Sequence, residues 1–231
     1  ADELQAQRHS LIRQPSGDGH GGQTCEGCWH GEYIVEIHGD GVHFLVRGEG
    51  GEITGHAPVD LSDAETTARW IDDAAAVYGG IDILYNNAGI MHNENLHDMN
   101  FEQIEEQFQV NTLGPMRATL ALLPNMKEGS KVGLMTSRMG SIADNTSGKK
   151  YGYRISKAGL NAAGKSLALD LHDRGVAVAI LHPGWVQTDM TGHSGNLTVD
   201  EAATNLIARM DELNLENSGT FWHSDGSVLP W

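Results

Sequence analysis

The sequence predicts an α/β fold in which a doubly wound parallel sheet is covered by helices on both faces. From about Val59 onward, short apolar runs that suit buried strands alternate with longer segments of helical periodicity. The connections between them are short, which favours right-handed strand–helix–strand units. With 231 residues, of which 39% are hydrophobic, the chain can bury one core of ordinary size. Together these observations indicate the α/β class.

The first 60 residues differ in composition from the rest. They hold 12 of the 29 glycines and 6 of the 12 histidines, and most of the stretch has no clear periodicity. Two apolar runs, at residues 33–37 and 42–46, flank His38-Gly39-Asp40-Gly41, and the Asp-Gly pair favours a tight turn. We therefore expect a short hairpin within a region that is otherwise rich in loops.

The later elements follow in order along the chain. A capping box, Ser62-Asp63-Ala64-Glu65, begins a helix that ends at Gly79-Gly80. Apolar runs predict strands at residues 81–85, 131–137 and 176–181 and an edge strand at 219–222. Helical periodicity predicts helices at residues 100–123 (with Pro115 as a possible kink), 151–174 and 198–215. Because ligands bind at the carboxyl ends of such strands, the candidate site lies in the loops at 86–91, 136–142 and 183–190.

The charge of the chain argues against several partners. Lys and Arg total 15 against 31 Asp and Glu, a formal net charge of −16, which repels phosphate backbones and anionic membranes. No run of 18 apolar residues occurs, and the opening ADELQAQRHS lacks the layout of a signal peptide. Two cysteines are too few for a disulfide framework. We expect a soluble, cytoplasmic protein without nucleic-acid or membrane partners.

The chemistry-bearing pattern is Tyr153-Arg154-Ile155-Ser156-Lys157. Residues four apart share one face of a helix, so the phenol and the ammonium point the same way. A phenol has a pKa near ~10, and a cation beside it stabilises the phenolate and brings that pKa towards neutrality. The pattern therefore predicts a tyrosine that acts as an acid or base.

Three polar side chains are candidates to assist it. Ser137 and Ser141 follow a predicted strand at the same sheet edge, where a hydroxyl could hydrogen-bond a carbonyl oxygen that gains negative charge. Asn111 lies inside a predicted helix, where asparagine is a mediocre helix former. By itself Asn111 is better explained as a solvent-facing or back-bonded amide.

These motifs together resemble the short-chain dehydrogenase/reductase family. The resemblance covers residues 59–231, about three-quarters of the chain, and its motifs occur in the family's order and spacing: Asn86-Asn87-Ala88-Gly89, Asn111, Ser141, Tyr153-x-x-x-Lys157 and Pro183-Gly184-Trp185-Val186-Gln187-Thr188. Thr188-Asp189-Met190 and the ending Asp225-Gly226-Ser227-Val228-Leu229-Pro230-Trp231 are similar to the small carbonyl-reductase branch related to C-factor and sniffer proteins.

The resemblance implies hydride transfer between NADP or NAD and a small carbonyl or alcohol substrate. Tyr153 would protonate the carbonyl oxygen, and Lys157 would lower the Tyr153 pKa and hold the nicotinamide ribose. Ser141 would orient the substrate oxygen, with Ser137 as the alternative, and Asn111 would hold a water in a proton relay. The resemblance further implies a homodimer or homotetramer, and cofactor contacts from Asp60, Leu61, Asn87, Ala88, Gly89, Tyr153, Lys157, Pro183, Gly184, Val186 and Thr188.

The sequence departs from the family near its start. The expected T-G-x-x-x-G-x-G motif, whose glycines let backbone N–H groups approach a pyrophosphate, does not occur. Gly17-Asp18-Gly19-His20-Gly21-Gly22 matches G-x-G-x-x-G by letter, but no strand is predicted before it. We therefore expect one Rossmann-like domain over 1–231, with a divergent region at 1–58, an atypical or incomplete first βαβ unit and family-like residues at 59–231.

Alternative interpretations stay open at this stage. Without a working diphosphate site, the chain would be a non-catalytic scaffold. A dehalogenase-like relative is disfavoured because such relatives place Arg where Lys157 stands. Cys25 and Cys28, with His20 and His30 nearby, could bind zinc, but only one ligand pair is present and two incidental thiols fit better, so no metal is expected.

Overall fold

The computed structural model describes residues 81–231 and, before them, the backbone of two strands. These strands, β1 (Tyr33–His38) and β2 (Gly41–Val46), pair antiparallel with His38 opposite Gly41, which confirms the expected hairpin. Other expectations for this part of the chain lie outside the described residues: the glycine-rich stretch at 17–22, the Cys25/Cys28 pair, Asp60 and Leu61, the helix after Ser62, and the change of character near residue 58.

Within the described part of the chain, the main sheet has four parallel strands, in the order β3-β4-β5-β6. They are β3 (Ile81–Asn86), β4 (Met126–Met135), β5 (Ala177–His182) and β6 (Phe221–His223). This sheet confirms the predicted α/β class, and three of its strands lie within a residue or two of the predicted positions. Because all four run the same way, the loops after β3, β4 and β5 lie along one edge.

Strand β4 begins five residues earlier than the apolar pattern indicates. Its first part is polar, and its pairing with β3 shifts register between Ile81 and Ile83. The Ser130 hydroxyl donates to the carbonyl oxygen of Ile81 at 2.7 Å and accepts from the Lys127 N–H at 3.0 Å. Side-chain hydrogen bonds therefore support a segment whose composition alone does not predict a strand.

In residues 81–231, four α-helices cover the sheet: α1 (Phe101–Phe108), α2 (Gly114–Leu122), α3 (Tyr151–Asp170) and α4 (Val199–Glu212). The Asn100 side chain caps α1 by accepting the Gln103 N–H, and Thr198 with Glu201 forms a capping box at α4. Helix α3 ends before the predicted limit, and a short 3-10 turn follows, closed by Gly175 in the left-handed region. Helix α4 also ends sooner, at Glu212.

The expected continuous helix at 100–123 is divided. A π-helical segment, Gln109–Leu113, separates α1 from α2, and the Gly114 N–H bonds to the carbonyl oxygen of Gln109, five residues back. Pro115 has no N–H to donate to the carbonyl oxygen of Asn111, four residues earlier. Pro115 thus follows the π-helical segment that contains Asn111, at the point where the chain returns to α-helix.

Two hydrophobic clusters lie on opposite faces of the sheet. Helices α2 and α3 contribute Ala118, Leu122, Leu160 and Ala168 to one cluster, against strand residues that include Leu84, Leu134 and Ile180. Helix α4 contributes Leu206 and Met210 to the other, with Tyr85, Ala179 and Trp222. At Gly164 an added Cβ would lie 2.8 Å from side-chain atoms of Leu134 and Ile180, so a glycine lets α3 approach the sheet closely.

None of the helices in the described region combines the length and apolar character needed to cross a bilayer. Within that same region, the side chains form no group of three or more His, Cys, Asp or Glu residues suited to a metal ion.

Candidate active site

Tyr153 and Lys157 are buried together in the first half of α3. Their exposed fractions are 8% and 2%, and the Lys157 Nζ lies 5.8 Å from the centroid of the Tyr153 ring. That Nζ donates to the carbonyl oxygen of Met135, the last residue of β4, at 2.8 Å. The pair therefore lies at the carboxyl edge of the sheet, as the spacing predicts.

Burial dominates the electrostatics of this pair. Desolvation lowers the pKa of Lys157 to about 7, and it raises the pKa of Tyr153 above its ordinary value. A hydrogen bond with Ser137 acts on the Tyr153 pKa in the opposite direction, but it is the smaller effect. Burial thus sets the direction of the Tyr153 shift, opposite to the lowering that the helical spacing predicts, and Tyr153 is a protonated phenol at neutral pH.

The serine that acts on Tyr153 is Ser137 rather than Ser141. Ser137 comes two residues after β4 ends, and its Oγ accepts the Met139 N–H at 3.1 Å. Ser141 lies at the end of the 3-10 turn Arg138–Gly140, and its Oγ accepts the Asp144 N–H at 3.1 Å. Of the two serines, Ser137 is therefore the one whose hydroxyl acts on the Tyr153 phenol in this structure.

Asn111 is fully buried and joins three segments. Its Oδ1 accepts the Ile90 N–H at 2.8 Å, and its Nδ2 donates to the carbonyl oxygen of Ile90 at 2.8 Å and to the Ser156 Oγ at 3.0 Å. The amide thereby fastens the loop after β3 to α3. A solvent-facing amide, the competing interpretation, is excluded.

The loop after β3 lies against the same lysine. Asn87 is partly buried and Ala88 is buried, and at Gly89 an added Cβ would lie 3.1 Å from the Lys157 Nζ and 3.3 Å from the Asn111 Oδ1. These distances are tighter than ordinary van der Waals contacts. A residue without a side chain at position 89 therefore lets backbone lie directly beside the ammonium.

The loop after β5 occupies the next position along the edge. Gly184 has a φ of +91°, in the left-handed region, and Val186 is buried and pairs with Leu197. The carbonyl oxygen of Pro183 accepts from the Ser224 hydroxyl at 2.9 Å, and Thr188 caps the 3-10 turn Asp189–Thr191. This loop follows the strand beside β4, so it is a neighbour of the Ser137 loop.

Sequence reasoning did not identify Glu94 as part of this region. Glu94 is only 2% exposed, and its carboxylate accepts from the Gln107 side-chain amide and from the Gly152 N–H at 3.4 Å. Its carbonyl oxygen also accepts the Lys150 N–H at 2.8 Å. Glu94 thus fastens the start of the helix that carries Tyr153. A lone glutamate in the polar run His92-Asn93-Glu94-Asn95 carries no sequence signal of burial.

A parallel sheet covered on both faces, with a buried tyrosine and lysine one turn apart at its carboxyl edge, places the chain among Rossmann-like α/β proteins. The family model described as short chain dehydrogenase matches residues 45–197. The chain belongs to the short-chain dehydrogenase/reductase family, as its motifs predict.

Known proteins support this membership. The chain is 44% identical over 183 residues to 1-hydroxy-2-glutathionyl-2-methyl-3-butene dehydrogenase of Rhodococcus sp. (strain AD45), a match that covers 78% of this chain and 81% of that protein. The carbonyl reductase Sniffer of D. melanogaster has a similar structure, with a TM-score of 0.72 and 32% identity over 76% of this chain and 77% of the other. The NADPH-bound carbonyl reductase from chicken fatty liver has a TM-score of 0.70 and 27% identity, over 75% and 76%.

Proposed function

We propose that this protein is an NAD(P)H-dependent oxidoreductase that interconverts a small carbonyl compound and its alcohol, with Tyr153 as the acid or base. The observation that carries the proposal is the buried Tyr153–Lys157 pair at the carboxyl edge of the sheet. Burying a lysine without a carboxylate partner is unfavourable, and such arrangements concentrate at functional sites.

The described residues fit a nicotinamide nucleotide. In its protonated form Lys157 offers three donor positions, of which the bond to Met135 uses one, so two remain for ribose hydroxyl groups. The backbone at Gly89 leaves beside Nζ the space that a Cβ would fill. When bound, the nicotinamide supplies or accepts the hydride. Asp60, Leu61, Asn87, Ala88, Gly89, Pro183, Gly184, Val186 and Thr188 complete the proposed contacts.

Tyr153 supplies the proton during carbonyl reduction. Since burial raises its pKa, the phenol is protonated at neutral pH and can donate to a substrate oxygen that gains negative charge. The Ser137 hydroxyl, which hydrogen-bonds Tyr153, is placed to orient the same oxygen. We therefore assign the orienting role to Ser137. Ser141 instead stabilises its own loop, by accepting the Asp144 N–H.

Asn111 acts through its backbone in the proposed proton relay. Its side-chain amide is occupied by Ile90 and Ser156. Its backbone carbonyl oxygen, in contrast, receives no α-helical bond from Pro115. We propose that the Asn111 carbonyl oxygen accepts a hydrogen bond from a water molecule, and that this water passes protons between solvent and the Lys157 side chain.

The first test is a titration of the protein with NADPH and with NADH, followed by turnover with a panel of aldehydes and ketones. NADPH is the leading cofactor, because one of the similar carbonyl reductases holds it. We expect saturable binding and turnover. The Tyr153→Phe variant should bind the cofactor with unchanged affinity but lose turnover by a factor of about 10² or more. Retained turnover in this variant would show that Tyr153 is not the acid.

One observation favours a second candidate, a non-catalytic scaffold: the sequence lacks T-G-x-x-x-G-x-G. In that case neither NADPH nor NADH binds, while the protein gives a cooperative unfolding transition. Saturable binding with turnover removes this candidate.

We also propose self-association through the long helices. Helix α3 exposes Ile155 and Leu169, and α2 exposes Leu120, each by half or more of its surface. Light scattering coupled to size-exclusion chromatography should give the mass of a dimer or tetramer. A monomer mass at micromolar concentration would contradict this proposal.

A further inference from the structure

Three basic residues surround the start of α3: Lys149, Lys150 and Arg154. Among the described residues, none of the three forms an ion pair with a carboxylate, although the chain as a whole carries a net charge of −16. Three other basic side chains in the same part of the chain do pair with acids: Lys127 with Asp82, Arg138 with Asp144 and Arg209 with Glu212. We call these three residues the cationic rim.

Lys150 is the most constrained member of the cationic rim. Its side chain is partly buried, and its Nζ lies 3.1 Å from the Sδ of Met91, a weak acceptor. Burial lowers the pKa of Lys150 first, and repulsion from Arg154 lowers it further than attraction by Glu94 raises it. The ammonium therefore lies close to the Arg154 cation, and the acceptor that the structure shows for its Nζ is a weak one.

Arg154 keeps its charge while holding the rim together. Its guanidinium donates to the carbonyl oxygens of Gly148, Lys149 and Met139 at 3.2 to 3.3 Å, and to the Ser147 hydroxyl at 2.9 Å. All four acceptors are neutral, so the positive charge is not compensated. These bonds also join the loop after β4 to the segment that precedes α3.

The backbone fixes where Lys150 projects. Lys149 and Lys150 have φ values of +58° and +52°, a region that side-chain-bearing residues rarely adopt. The Lys150 N–H donates to the carbonyl oxygen of Glu94 at 2.8 Å, and Arg154 holds the Lys149 carbonyl oxygen. The two bonds stabilise a conformation in which the Lys150 side chain crosses towards Met91.

Short stretches of chain connect this position to the proposed active site on both sides. Lys150 precedes Tyr153 by three residues, and Met91 follows Gly89, the residue packed against Lys157, by two. We propose that the cationic rim binds a carboxylate of the substrate, and that the preferred carbonyl substrate of this protein is therefore an anion. This inference rests on the proposed function, since it names the substrate class of the same site.

Two aldehydes that differ only in charge test the inference: 4-formylbenzoate and its neutral methyl ester. We expect kcat/KM to be about fivefold higher for the anion, the size of a partly exposed ion pair. In Lys150→Met, which keeps the unbranched side chain up to the terminal nitrogen, the preference should fall to near one, through a higher KM for the anion alone. The KM for NADPH should not change, which separates a substrate carboxylate from a cofactor phosphate as the bound anion.

Lys127→Met is the matched control, because Lys127 is an exposed lysine at the amino end of β4 with an acid partner; it should leave the preference unchanged. No preference in the wild type, or a preference that persists in Lys150→Met, overturns the inference while leaving the proposed function intact. Binding of 4-formylbenzoate by ligand-observed NMR gives a readout without turnover, and weaker binding to Lys150→Met than to wild type is expected there. Equal binding would overturn the inference even if the enzyme were inactive.

Discussion

The Lys157 Nζ donates to the carbonyl oxygen of Met135 at 2.8 Å, and this bond joins the helix of the proposed acid to the end of the central strand β4. The Met135 carbonyl oxygen positions the Lys157 amine but carries no net charge. A carboxylate in the same place would neutralise the positive charge of the protonated amine. The helix also packs closely there, because an added Cβ at Gly140 would lie 2.7 Å from the Lys157 carbonyl carbon. Backbone atoms of Met135 and Gly140 therefore fix the position of Lys157.

The buried lysine should make stability depend on pH. Burial lowers the pKa of Lys157 from 10.5 to about 7 in the folded protein, so between these values the unfolded chain binds one more proton than the folded chain. The free energy of unfolding should then rise with pH from about 7 to 10, by at most ~1.4 kcal/mol per pH unit from this group. Urea unfolding at several pH values should show that Lys157→Met removes this rise. If the free energy of unfolding rises equally with pH in the wild type and in Lys157→Met, the lowered pKa of Lys157 is contradicted.

The two serines should differ in their effect on turnover. Ser137→Ala removes the hydroxyl that hydrogen-bonds Tyr153, and we expect kcat to fall by about 10²-fold with little change in cofactor affinity. Ser141→Ala removes the acceptor for the Asp144 N–H and should lower stability by about 1 kcal/mol with a smaller loss of kcat. Steady-state kinetics and thermal unfolding of both variants check this order. The reverse order in kcat would return the orienting role to Ser141.

Asn111 should matter for stability as well as for turnover. Asn111→Ala removes hydrogen bonds to Ile90 and Ser156 and leaves buried polar groups without partners, for a loss of about 3 kcal/mol in unfolding free energy. Asn93→Ala, in an exposed position of the nearby loop, is the control and should change it by less than ~0.5 kcal/mol. Equal stabilities in chemical denaturation would contradict the joining role of Asn111.

Glu94 should position the start of α3. Glu94→Gln weakens the acceptor for the Gly152 N–H and the Gln107 amide, and we expect about 1–2 kcal/mol of destabilisation together with a fall in kcat at unchanged cofactor affinity. Glu105→Gln, on an exposed face of α1, is the matched control. A loss of stability without a change in kcat would leave Glu94 a structural residue only.

Space near the same carboxylate allows a second test. An alanine at position 152 would place its Cβ within 3 Å of Gln107, Glu94 and the Ile104 backbone. Because the Ile104 backbone cannot move away easily, Gly152→Ala should lower the free energy of unfolding by about 2 kcal/mol or more. Thermal unfolding of this variant decides it, and an unchanged Tm would mean that α1 moves aside.

Local patterns in the sequence determined much of this protein. Alternating apolar runs placed the strands and helices of residues 81–231, because periodicity and capping act within a few residues of one another. The same locality put Tyr153 and Lys157 on one face of α3, since residues four apart in a helix always meet. The ordered motifs were sufficient to identify the family.

Tertiary structure decided what depends on residues far apart in the chain. The hydrogen bond between Ser137 and Tyr153 joins the loop after β4 to α3, and the Asn111 side chain contacts the loop after β3. The pKa of Tyr153 was the least predictable property. The helical spacing indicated a cation that lowers it, but burial raises it, and desolvation depends on all the elements packed around the phenol rather than on the neighbours of Tyr153 in sequence.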